Sequence, residues 1–166
     1  MQNKILLAIG CFLLVIGIFK PELPNIPSIG PTPSGVVETY VTDAPSDDNL
    51  LEKARTVVDI VQESDDSTRR SDCLKLSSLY ADMATLIEID DDKVVPDTSS
   101  IKEANSIAGK MLRLNIKNKY PGLADAAKDL VSSSIGEDDV MLDDELREKS
   151  VDAFRALSWA FYEGSK

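Results

Sequence analysis

Fifteen consecutive residues without a charge, Ile5 to Phe19 (ILLAIGCFLLVIGIF), constrain this chain more than anything else in it. A helix of this composition has no polar face, so it needs apolar surroundings on every side. It measures roughly 22 Å, short of a hydrocarbon core of about 30 Å. Lys4 and Lys20 bracket the run, and their long side chains reach toward headgroups and lessen the mismatch. The charge-free run predicts a single membrane helix, with Ile5, Leu6, Leu7, Phe12, Leu13, Leu14, Val15, Ile16 and Phe19 as the membrane anchor.

Three fates of the segment stay open. An uncleaved single-pass anchor is preferred. A cleaved signal peptide fits the length, but cleavage after Val15-Ile16-Gly17 leaves apolar Ile18 and Phe19 behind, and any later site meets prolines. Lipidation at Cys11, after Ala8-Ile9-Gly10, conflicts with the eight apolar residues that follow the cysteine. The amino terminus and Lys4 precede the run and only Lys20 follows closely, so the N-terminus is expected in the cytoplasm and the rest outside, in the periplasm if the cell is bacterial. Gly10 and Gly17 lie two helical turns apart on one face, a spacing that permits weak self-association of membrane helices, although glycine is common in such helices anyway.

Residues 21–45 are a different regime. Pro21, Pro24, Pro27, Pro31, Pro33 and Pro45 fall here, and no helix runs through them. The threefold spacing of the first three matches one turn of polyproline II. Extended to Gly35, the segment would hold a domain on the order of 45 Å from a bilayer. Within it, residues 36–42 are rich in strand formers: Val36, Val37, Thr39, Tyr40, Val41 and Thr42. One strand makes no sheet, so an ordered end of the linker is the preferred expectation, with a segment extended against the helices or a strand added to a partner's sheet edge as the alternatives.

From residue 46 to 166 the pattern is helical and acidic. Of the 18 basic residues, Lys4 and Lys20 belong to the N-terminal segment, and the 16 in residues 21–166 stand against 29 acidic ones. Such a surface repels phosphate backbones, which disfavours nucleic acid as a partner, and it disfavours direct adhesion to anionic lipid. Aromatics make up only 5%, so the core must be aliphatic and Ala-rich, which suits helices. Ser46, with Asp47 and Asp48 behind it, reads as an N-cap. Leu50, Leu51, Ala54, Val57, Val58 and Val61 then form one stripe. After the polar break at Glu63–Ser67, a second stripe holds Cys73, Leu76, Leu79, Tyr80, Met83 and Ile87, ended by Asp90-Asp91-Asp92 and Pro96. Ser100-Ile101-Lys102-Glu103 has the form of a capping box, followed by Ala104, Ile107, Ala108, Met111, Leu112 and Leu114. Tyr120-Pro121-Gly122 is a turn, Leu123–Val131 a short helix broken at Ser132–Gly136, and Asp143-Asp144-Glu145 opens a last helix carrying Leu146, Val151, Phe154, Leu157, Trp159, Ala160 and Phe161 up to Gly164. The fold class expected is all-α: a single transmembrane helix at residues 1–20 and, beyond the linker, a bundle of four to five amphipathic helices.

The chemistry that the chain lacks is informative. There is no histidine, hence no common general base, zinc ligand or physiological pH switch. Cys11 and Cys73 fall in different regimes and imply no disulfide; Cys73 reads as a buried small hydrophobe. An EF-hand beginning at Asp90 would need glycine and a carboxylate where Val95 and Ile101 stand. Phosphate-loop, dinucleotide and zinc-protease motifs do not occur. Arg69-Arg70, beside Asp65, Asp66 and Asp72, reads as a solvated charge cluster rather than an anion site. No catalytic, cofactor or metal residues are expected.

Lys119-Tyr120-Pro121-Gly122-Leu123-Ala124-Asp125-Ala126 and the run LDDELREKSVDAFRALSWAFYE from Leu142 to Glu163 resemble small uncharacterised membrane-anchored proteins of tailed bacteriophages and prophages. The resemblance covers residues 100 to 164 and implies a phage or bacterial envelope context without an activity. The function expected is non-enzymatic: a membrane-tethered interaction or structural protein whose partners are the bilayer and an unknown protein. The alternative is an envelope-disruption or lysis accessory, which usually wants one long coiled coil that Ser64–Ser67, Pro96 and Pro121 interrupt here.

Overall fold

A computed structural model describes residues 38–89, 98–114, 116–135 and 143–166. The expected anchor (Ile5–Phe19, with Gly10 and Gly17), the linker up to residue 37, the Asp90–Asp92 loop and Gly136 lie outside the described residues. Among the described residues the secondary structure is entirely helical, in the order α1 (Asp48–Gln62), α2 (Arg69–Ile89), α3 (Thr98–Arg113), the one-turn α4 (Ile116–Lys119), α5 (Leu123–Ile135) and α6 (Asp143–Gly164). The expectation of a helical bundle holds. Among the described residues no helix is long and apolar enough to cross a membrane.

Local chemistry sets the boundaries, and several differ from the expected ones. Asp47, not Ser46, caps α1: its backbone is extended and its Oδ1 accepts from the Leu50 amide at 2.8 Å. Either residue type satisfies an orphan donor there; the carboxylate does so while facing the helix dipole. Before α2, Asp66 Oδ1 accepts from the Thr68 amide at 2.7 Å, and its carbonyl accepts from the Arg69 amide at 3.0 Å. α3 begins at Thr98, so Ser100 sits inside the first turn rather than at a cap. It ends at Arg113, and α4 follows before the turn at Gly122, whose φ of 83° is the left-handed region that glycine adopts without strain. α5 does not stop at Ser132. The Ser133 hydroxyl donates to the Leu130 carbonyl and the Ser134 hydroxyl to the Lys149 carbonyl of α6, both at 2.8 Å, so the serines are accommodated within the helix.

α6 is the hub. It packs most extensively on α2, then on α1 and α5, while α3 leans on α2 and α4 on α5. Direction follows from paired residues. Ser77 meets Ser158 and Glu88 meets Arg155, so α2 runs antiparallel to α6. Gly164 approaches Val61, whereas Asp152 feels the charge of Asp47, so α1 runs parallel to α6. Ser134 meets Lys149, and Lys53 meets Asp129, so α5 runs against both.

Tyr80 of α2 stacks on Phe154 and Phe161, two turns apart on α6, with ring centroids 6.1 and 5.6 Å away. Around these rings lie Leu50, Val57, Val61, Leu76, Met83, Leu123, Leu130 and Leu157, all buried. Each such aliphatic side chain contributes about 1.5–3 kcal/mol on removal from water. Ala153, Ala156 and Ala160 of α6, with Ala81 and Ala84 of α2, are buried as well. Their small size lets backbones come close, as the Ala-rich composition implied.

Candidate functional site

The densest polar cluster in the described residues sits at the end of the bundle where α1 stops and α2 starts. Asp72, in the first turn of α2, is 4% exposed. Its Oδ2 accepts from Lys119 Nζ at 2.6 Å and lies 2.9 Å from Thr68 Oγ1 and 3.3 Å from the Tyr120 hydroxyl. Thr68 Oγ1 also accepts from Lys119 at 2.9 Å and lies 2.6 Å from Asp66 Oδ1; its single proton serves one carboxylate at a time. The cluster thus fastens α4 and the following turn to the head of α2.

Sequence reasoning placed Asp72 in a solvated cluster with Arg69, Arg70, Asp65 and Asp66. The structure turns it inward. The signal was present: Asp72 precedes Leu76, Leu79, Tyr80 and Met83 at helical intervals of four, seven, eight and eleven, so it shares their face. Arg70 and Asp65 are exposed, as expected, and Arg69 donates to the Gln62 carbonyl at 3.2 Å.

Every resolved electrostatic shift at this cluster leads away from reactivity. The hydrogen bond to Asp72 raises the Lys119 amine, which keeps it protonated. Burial, then the charge of Asp72, raises the Tyr120 phenol. Burial pushes the neighbouring Cys73 thiol up to about 12, as befits a small buried hydrophobe rather than a nucleophile. Hydrogen bonds from Thr68 hold the Asp66 carboxyl below its usual range.

A second polar feature lies mid-bundle, where α2 crosses α6. Ser77 and Ser158 are both fully buried. The Ser77 hydroxyl donates to the Ser158 carbonyl at 2.7 Å, and the Ser158 hydroxyl donates to the Ser77 carbonyl at 2.8 Å. The two oxygens are 3.1 Å apart. Nothing in the sequence reading singled out this reciprocal clasp, because serine inside a helix reads as outward-facing. Ser158 takes one more bond, from the Val41 amide at 3.3 Å, and Tyr40 stacks on Tyr162 with centroids 5.7 Å apart. Residues 38–42, the described part of the strand-forming stretch, touch α6 through these two contacts. The Tyr40 hydroxyl bonds Glu38, which pushes its pKa up to about 12.

Among the described residues, every buried side-chain nitrogen or oxygen has a partner, and no group of three or more acidic or cysteine side chains is arranged to hold a metal ion. Both clusters therefore act as internal fastenings. Comparison with protein-family models, with curated proteins and with solved structures gave no match.

Proposed function

We propose that this chain is a membrane-tethered interaction or structural protein, not an enzyme, which presents an acidic helical domain on the outer side of the membrane that holds it. The observation that carries the reading is how apolar surface is distributed. α1, α2, α5 and α6 supply one another with a shared core. The charge-free run Ile5–Phe19 has no polar face to show water, and a bilayer supplies the surroundings it needs. The positive charge ahead of the run favours an outside domain, and the prolines after it favour a spacer.

The non-enzymatic half of the reading is supported by the Asp72 cluster, whose amine, phenol and neighbouring thiol are all held in their unreactive protonation states. The resemblance of residues 100–164 to phage and prophage membrane proteins favours a phage-encoded origin. The excess of acidic groups favours a protein partner over nucleic acid.

Two measurements test this. Full-length protein should stay with membranes through salt and alkaline extraction, and recovery of wholly soluble protein with Met1 attached would overturn the tether. A broad hydrolase screen should find no turnover; activity that disappears in Asp72→Ala with the fold retained would overturn the non-enzymatic reading.

A further inference from the structure

Residues 38–47 cross the bundle without joining its core: none of the ten is buried. Their path follows α6. Tyr40 stacks on Tyr162, the Val41 amide meets the Ser158 hydroxyl, and Asp47 comes near enough to Asp152 for like charges to repel. From residue 162 back to residue 152, the path spans roughly 15 Å of helix.

Ser158 and Tyr162, which this segment contacts, keep other partners without it. The Ser77–Ser158 clasp is closed by its own two hydroxyl-to-carbonyl bonds. The Tyr162 ring retains Lys166 Nζ, 4.9 Å from its centroid. The Asp47 carboxylate caps α1 whether or not the residues before it are docked. Among the described residues, departure would free the Val41 amide, which water satisfies. No buried polar group would be orphaned, and no buried side chain of the segment itself would be exposed. Local opening of this kind needs far less free energy than global unfolding.

We propose that residues 38–46 are a releasable strap, docked along α6 in the structure and able to peel away as a unit while the bundle stays folded. Peeling starts at Glu38, where the preceding chain joins. The strap adds nine extended residues, roughly 30 Å, to the reach of that chain. The gain in reach rests on the tether reading above; the peeling does not.

Amide hydrogen exchange on the full-length chain in nanodiscs tests this, with Tyr40→Ala as the variant. One hydrogen bond and one aromatic stack should protect the Val41 amide about tenfold to a hundredfold over the unstructured rate. The amides of α6 should be protected by orders of magnitude more. Tyr40→Ala should lower the Val41 protection about tenfold and leave α6 unchanged. A Val41 amide as protected as those of α6 would make the segment part of the cooperative core and overturn the proposal. So would a Val41 amide with no protection in the wild type. Flotation of the same protein with lipid vesicles reads the tether separately: its failure would cancel the added reach and leave the exchange pattern standing.

Discussion

Asp72 sits at a position where most residues are apolar, and its consequences are local and measurable. Removing it leaves Tyr120 short of an acceptor and Lys119 without its ion-pair partner, while the Thr68 hydroxyl turns to Asp66 Oδ1. Asp72→Ala should cost about 2–4 kcal/mol in urea denaturation followed by circular dichroism. Asp129→Ala breaks an exposed pair with Lys53 and should leave the midpoint unchanged. A Asp72→Ala variant as stable as wild type would mean that water replaces the carboxylate freely. Two other acids work in the opposite sense. Burial raises the Asp152 carboxyl, as do the charges of Glu148, Asp47 and Glu88, against Arg155; burial and Glu103 raise Asp82, against Lys110. An acid whose folded pKa exceeds its unfolded value favours the native state in its protonated form, so it weighs against folding at neutral pH and is relieved as pH falls through that folded pKa. Asp66, held low, acts the other way only in stronger acid, below the unfolded aspartate pKa of about 3.9. With a net charge of −11 adding self-repulsion, the melting temperature should rise as pH falls from 7 toward the isoelectric point near 4.4. Asp152→Asn should flatten that slope. A melting temperature that falls steadily over this range would contradict the assignment.

At the level of elements, three glycines separate the demands of a turn, a close contact and an ordinary helix position. Gly122, at φ 83°, sets the turn into α5, and Gly122→Ala should cost about 1–2 kcal/mol. Gly164 ends α6 where an added Cβ would come 3.1 Å from Val61 Cγ1, itself fully buried. Gly164→Ala should destabilise by about 1 kcal/mol, and less so in a Val61→Ala background, where the crowding atom is gone. Gly109 lies inside α3, with nothing within 4 Å of an added Cβ, so Gly109→Ala should stabilise by up to about 1 kcal/mol. Equal effects at all three positions would mean that helix propensity alone governs them. The same elements show what was legible beforehand. Apolar stripes located all five long helices, and the stripe residues Ala54, Val57, Leu76, Met83, Phe154, Leu157 and Phe161 are core. Caps were less legible: Asp47 and Ser46 are both good N-caps, and only the surrounding structure chooses between them. The fastenings at Asp72 and Ser77–Ser158 were missed, although the helical spacing of Asp72 from Leu76 and Leu79 already put it on the buried face. A stripe argument sorts residues by polarity and sends every polar side chain outward, whereas these are buried because each finds its partner on a helix distant in sequence.

For the whole molecule, the order of the chain sets how stability is shared. The hub, α6, is the last helix, so α1, α2 and α5 lack their common neighbour until the C-terminus is in place. α6 also satisfies the polar groups it meets, through Ser158 to Ser77, the Lys149 carbonyl to Ser134, and Arg155 to Glu88. Among the described residues, α1, α2, α5 and α6 spend their apolar faces on one another and every buried side-chain nitrogen or oxygen has a partner. That accounting bears on the N-terminal run. A soluble bundle of this size would need to surround Ile5–Phe19 with apolar side chains on every side, whereas the described apolar faces of α1, α2, α5 and α6 are turned toward one another. A bilayer has no such limit. A chain beginning near Ser34 should accordingly be soluble, helical by circular dichroism and monomeric or weakly associating, with the same thermal midpoint as the full-length protein in detergent. N-terminal sequencing of full-length protein recovered from membranes should return Met1 or Gln2. Recovery of Ile18 would show signal cleavage in its place, and a modified Cys11 would show a lipid anchor. Should the shorter chain aggregate or melt well below the full-length protein, the N-terminal segment would be part of the bundle's own core.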